Sequence, residues 1–277
     1  MKKGFMGLSL YKEIINQLKN NITSINMYSW GEPLLNPDFV SMVEYSKQVN
    51  NHIRITTSTN LNISDDKLLA ALINSGIDEI IVSCDGASEE SYSKYRVNGD
   101  YNLVIRNMKF IVSLLGQSNK KTDIIWNFLV FKHNEQEIDA AKEIAESIGV
   151  SLRISKMRTF MKDEITVPHA ESIKKYKNWI PDKSEYSAYD KENEKTKAII
   201  KTCRKPWQEI SINWDGKVFP CCAVYGDEYS FADAAKNDIK QIWNNEVYIQ
   251  ARKEIKDKRI KAVTICGICR NNCFMHM

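Results

Sequence analysis

The sequence predicts an α/β fold, a partial β/α barrel followed by a small cysteine-rich unit. Three observations predict it. β-rich runs alternate with amphipathic helical patterns from Ser24 to Met157, each run splits into an apolar and a polar set of side chains, and six of the seven cysteines lie from Cys203 to Cys273.

The β-rich runs are Ser24 to Trp30, His52 to Asn60, Glu79 to Asp85, Asp123 to Phe131 and Ser151 to Met157. Alternation with helices implies parallel strands joined by helical crossovers. Successive strand side chains point to opposite faces. Ile53 and Ile55 therefore oppose Arg54, Thr56, Ser58 and Asn60, and Ile80, Val82 and Cys84 oppose Ile81, Ser83 and Asp85. Leu152 and Ile154 oppose Ser151, Arg153 and Ser155 in the same way. A parallel sheet covered by helices on both sides would be apolar on both. One face is thus expected to look into a polar lumen that can hold a ligand.

The helices carry their own punctuation. Ser64 precedes Asp65 and Asp66 as an expected N-cap, Leu68, Leu69, Leu72 and Ile73 form an apolar side, and Gly76 is the expected stop. Gly116 and Gly149 are expected to close two later helices, after the stripes Val104, Met108, Ile111, Leu115 and Ile138, Ala141, Ala145, Ile148. An earlier helix is expected from Leu10 to Leu18, capped by Ser9.

Residues 160–200 are charged and aromatic, interrupted by Pro168 and Pro181, and read as a linker of irregular helices. Glu209 to Trp214, the turn Asp215-Gly216, and Lys217 to Phe219 read as a β-hairpin. A helix is expected from Ile239 to Ile255, with Ile242, Trp243, Val247 and Ile255 on its apolar side. The expected domains are 1–160, 161–200 and 201–277.

Composition narrows the function classes. The 277 residues are 43% hydrophobic and 27% charged, which is globular. The net charge of +4 is spread through mixed runs such as Lys253 to Lys261, a solvated face and not a nucleic-acid groove. The apolar stretch from Gly4 to Leu8 is too short for a signal peptide, and no run reaches the roughly 18 apolar residues of a membrane span. A cytoplasmic protein is expected, where thiols stay reduced and an odd number of cysteines points to metal.

The C-terminal pattern is Cys203, twelve residues, Gly216, four residues, adjacent Cys221 and Cys222, then Cys266-Gly267-Ile268-Cys269 and Cys273. Cluster iron takes thiolates, and a two-residue gap lets one turn present two sulfurs to one site. Cys203, Cys221, Cys266 and Cys269 are the expected ligands, with Cys273 in reserve, because adjacent Cys221 and Cys222 rarely face the same site. A single zinc on four of these thiolates is the competing reading.

This arrangement resembles the SPASM or Twitch auxiliary-cluster extension of radical S-adenosylmethionine enzymes. Tyr28-Ser29-Trp30-Gly31-Glu32-Pro33 is similar to that family's Gly-Glu motif, with Thr57-Ser58-Thr59-Asn60 and Ser83-Cys84-Asp85-Gly86 at the next two strand ends. The resemblance implies a (β/α)6 TIM-like barrel, here missing its first strand, and a C-terminal domain with an auxiliary cluster, expected as 4Fe-4S. It implies S-adenosylmethionine near Gly31 and Glu32 (amino group), Asn60 and Ser83 (ribose and carboxylate), and more weakly Arg96. It further implies hydrogen abstraction by a 5′-deoxyadenosyl radical from a peptide, sugar or small-molecule substrate, and an electron donor such as flavodoxin or ferredoxin.

One departure stands out. The family's catalytic cluster sits on C-x3-C-x2-C, and no cysteine precedes Cys84. The expectation is that this segment lies upstream of Met1 and that the chain alone is inactive. The alternative is a degenerate relative that keeps its C-terminal cluster, or a zinc, as a binding module.

Overall fold

A computed structural model describes residues 3–159, 169–197, 202–224 and 226–271. Its elements run α1 (Leu8–Leu18), β1 (Ser24–Asn26), α2 (Phe39–Val49), β2 (Arg54–Thr59), α3 (Asp66–Asn74), β3 (Glu79–Ser83), α4 (Glu89–Tyr95), α5 (Tyr101–Gly116), β4 (Asp123–Val130), α6 (Ile138–Ile148) and β5 (Ser151–Lys156). Then follow α7 (His169–Lys175), β6 (Tyr189–Asp190), β7 (Lys195–Thr196), α8 (Lys205–Gln208), β8 (Ser211–Ile212), β9 (Lys217–Phe219), β10 (Ala232–Asp233), α9 (Ile239–Trp243), α10 (Glu246–Lys256) and α11 (Ile265–Asn271).

Five parallel strands pair in chain order, β1 to β5. Their register aligns Ser58 with Ile81, and Ser83 with Asn127, which itself faces Arg153. The split into two faces follows directly. Ile53, Ile55, Ile80, Val82, Cys84, Trp126, Phe128 and Val130 are buried in one core with Leu69, Leu72, Val104, Met108, Ile111 and Ala141 from the helices. The opposite set holds Ser58, whose hydroxyl lies 3.2 Å from that of Ser83, and Asn127, whose Oδ1 accepts the Ser155 hydroxyl at 2.6 Å. Cys84 is helix-facing and fully buried, and its carbonyl accepts the Trp126 indole N–H at 2.7 Å.

Local differences have local causes. Asp65 and not Ser64 caps α3, its carboxylate accepting the Leu68 amide at 3.0 Å. Gly149 closes α6 in the left-handed region, whereas Gly116 is the last helical residue of α5 and Gln117 follows as the cap. The expected single helix from Ile239 to Ile255 is two, because Asn245 caps α10 by accepting the Tyr248 amide at 2.9 Å. That restart leaves Val247 on the outside, 40% exposed.

By its contacts the chain forms two compact units, residues 19–157 with 179–187, and residues 1–18 with 158–178 and 188–277. The first helix groups with the cysteine-rich residues: Ile14 shares a core with Val218, Phe219, Cys221, Ile242 and Ile265. Gln17 Oε1 also accepts the Ile239 amide at 2.8 Å, satisfying a donor at the start of α9.

Candidate functional site: a cysteine-lined cavity and a polar strand-end surface

In the C-terminal unit the hairpin β8–β9 turns at Asn213 to Gly216 and is widened by β10 on its far side. Its exit delivers Cys221, α8 follows Cys203, and α11 carries Cys266 and Cys269 one turn apart on the same side. All four expected ligands line one cavity of about 320 Å³ that opens to solvent, completed by Lys205, Pro206, Pro220, Val224, Ile255 and Ile265. Cys222 is exposed and does not line it, and Cys273 lies outside the described residues.

The donor set fits a polynuclear cluster. Four thiols line one volume whose other wall residues are, apart from Lys205, apolar, and thiolates are the ligands that cluster iron takes. Burial pushes the Cys221 thiol up to about 12, and raises Cys203 and Cys266 as well. For Cys266 the neighbouring Cys221, Cys269 and Cys203 add to the effect of burial. Such thiols stay protonated until a positive centre displaces the protons, so cluster assembly releases protons.

A second group of residues lies at the C-terminal ends of the sheet strands. Gly31 sits at φ +98°, and a Cβ there would meet open space, so glycine serves the turn conformation and not a tight contact. That turn presents Glu32, whose Oε1 accepts the Leu34 amide at 3.1 Å and whose Oε2 accepts the Asn60 amide at 2.7 Å. Ser83 and Ser58 are hydrogen-bonded across β2 and β3. Glu32, Asn60 and Ser83 are thus linked through adjacent strand ends, all half-buried.

Arg96 lies at the end of α4. It pairs with Asp85 at 2.6 Å, and Asp85 is fully buried, also accepting the Leu129 amide at 2.8 Å. The ion pair joins the β3–α4 loop to the end of α4, and the other oxygen of Asp85 ties that loop to β4.

Two features escaped sequence reasoning. Leu61 adopts φ +54° while fully buried, held by Asn107 Nδ2, which donates to Leu61 O at 2.9 Å and Ile63 O at 2.8 Å. A strained backbone persists where its surroundings over-determine it, here directly after Asn60. The other is Glu254, which the charge run placed on a solvated face but which is fully buried against the start of α11.

The sequence matches the family model described as the Radical SAM superfamily over residues 3–148, more than half of the chain. It matches the iron-sulfur cluster-binding domain SPASM over residues 203–273. It is 26% identical over 147 residues to the mycofactocin maturase MftC of Mycobacterium ulcerans, covering 53% of this chain and 38% of that protein. It is 23% identical over 302 residues to the AdoMet-dependent heme synthase of Methanosarcina barkeri, covering 93% of this chain and 78% of that protein. Only a little over a third of the mycofactocin maturase's length is thus spanned.

Two solved structures share the fold. AnSMEcpe with bound AdoMet aligns at a TM-score of 0.63 and 14% identity, covering 98% of this chain and 83% of that one. Streptococcus suis SuiB, bound to precursor peptide SuiA, aligns at 0.64 and 13%, covering 98% and 65%. With the five-strand parallel sheet and the four-cysteine cavity in place, the chain belongs to the radical SAM superfamily and carries a SPASM iron-sulfur cluster-binding domain.

Proposed function

We propose that the protein is a maturase-like radical SAM/SPASM iron-sulfur enzyme whose chemistry is hydrogen abstraction from a peptide. The observation that carries this reading is the convergence of Cys203, Cys221, Cys266 and Cys269 on one apolar cavity. The peptide assignment rests on the likeness to SuiB, whose structure holds a precursor peptide.

When bound, the cluster supplies a one-electron redox centre or a docking point for substrate. The chain's own residues do the rest. Apolar side chains separate the thiols along the cavity wall, where Lys205 also stands, its ammonium paired with Glu209 at 2.6 Å. At the strand ends, the turn at Gly31 and the Glu32 tie to Asn60 hold a half-buried polar surface, formed with Ser83, for S-adenosylmethionine.

A second reading is a relative that keeps its cluster only as a binding module. Calorimetric titration of anaerobically reconstituted protein with S-adenosylmethionine separates the two. The enzyme reading expects binding that weakens at least about tenfold in Glu32→Ala, a loss of about 1.4 kcal/mol. An iron-loaded protein that does not bind S-adenosylmethionine supports the module.

A further inference from the structure

Helix α10 ends beside the segment that leads into α11, and Glu254 joins the two. Its Oε1 accepts the Val263 amide at 3.1 Å and the Gln250 amide group at 2.9 Å. Its Oε2 accepts the Thr264 amide at 3.1 Å and the Thr264 hydroxyl at 2.6 Å. The Thr264 hydroxyl in turn accepts the Gly267 amide at 3.3 Å, so the carboxylate reaches the first turn of α11 through one side chain.

The fit leaves no room for another side chain. A Cβ on Gly267 would collide with Glu254 Oε2 and lie 2.8 Å from the Ala262 Cβ, so the residue between Cys266 and Ile268 must be glycine for the carboxylate to stay in place. From the other side Arg270 donates to the carbonyls of Glu254 and Asp257, the latter at 2.9 Å, and closes the loop 257–264. A buried carboxylate is costly unless each lone pair is used, and here four donors use them.

We infer that Glu254 is the positioning residue of the Cys266–Cys269 turn: its buried carboxylate fixes the start of α11 so that both sulfurs face the cavity. The inference rests on the cluster-binding reading, and it adds a second consequence. A fixed negative charge behind Cys266 opposes addition of an electron to a cluster held there, so removing the charge favours the reduced state.

The test uses the full chain and the variants Glu254→Ala and Glu254→Gln. In metal-free protein, iodoacetamide labelling followed by mass spectrometry is expected to show Cys266 and Cys269 reacting at least about tenfold faster in Glu254→Ala, with Cys84 and Cys203 unchanged. In reconstituted Glu254→Gln, the reduced-to-oxidised ratio at the wild-type midpoint potential is expected to rise at least about threefold, a readout that packing alone would not move. Equal labelling rates overturn the positioning role. An unchanged ratio overturns the electrostatic one. If Glu254→Ala labels at all four cysteines alike, the residue only maintains the fold and the inference fails. Wild-type protein that takes up no iron while the labelling contrast holds would refute the cluster reading and leave the positioning role standing.

Discussion

Glu32 Oε2 accepts the Asn60 amide at 2.7 Å, joining the loop after β1 to the end of β2 across 28 residues. The same carboxylate caps the single 3-10 turn at Pro33–Leu35 through Leu34. Hydrogen bonds to a charged acceptor contribute about 1.5 to 3 kcal/mol when formed away from bulk water, and half-burial places this pair at the low end. Glu32→Ala is therefore expected to lower the unfolding free energy of the sheet unit by about 1 to 2 kcal/mol in urea titrations, with Glu32→Gln intermediate. An unchanged midpoint would show that the tie carries no stability.

Asp85 and Arg96 make a sharper case, because the carboxylate is fully buried. Removing one partner of a buried pair leaves an uncompensated charge and costs about 3 to 5 kcal/mol. Arg96→Ala should show that loss by chemical denaturation, and Asp85→Asn in the same background should recover part of it. If the double variant is no more stable than the single one, the charge is not the source of the cost.

His133 gives the sheet unit an acid limit. Its ring stacks on Phe131 at 5.4 Å between centroids and its Nε2 lies 3.2 Å from Ser91 O, and burial holds its pKa below the ordinary histidine value. The unfolded chain then takes up a proton near pH 6.5 that the folded chain refuses until lower pH. Stability from this group is full above about pH 6.5 and declines as the pH falls through that region. Thermal melts between pH 7.5 and 5.5 should show the decline in the wild type and a smaller one in His133→Phe. Equal slopes would remove His133 from the account.

The seven cysteines divide by role. Cys84→Ala is expected to leave iron content untouched, since Cys84 belongs to the sheet core with Trp126, and Cys222→Ala likewise, since it is exposed and off the cavity. Cys266→Ala and Cys269→Ala are expected to lose most of the iron. Metal analysis of the four variants decides it, and iron loss in Cys84→Ala would contradict the face assignment.

Much of this was legible from residue order alone. Period-two alternation separates Ile53 and Ile55 from Ser58 and places Cys84 with the helices, because strand geometry leaves side chains no other choice. Cysteine spacing pairs Cys266 with Cys269 for a similar reason, since a two-residue gap in a helix keeps two sulfurs on one side. What sequence could not give was the fate of charges. Glu254 sits between Lys253 and Lys256 in a run that reads as solvated, yet a helical turn directs it inward while the lysines stay outside. Arg96 and Asp85, eleven residues apart, meet only because α4 folds back. The pairing of α1 with the cysteine-rich core is equally nonlocal, with Gln17 and Ile239 separated by 222 residues.

The most direct test is the metal content of the full chain after anaerobic reconstitution with iron and sulfide. Four cysteines lining one cavity predict a brown protein with about four irons and four sulfides per chain. A colourless protein holding one zinc and no iron would contradict it.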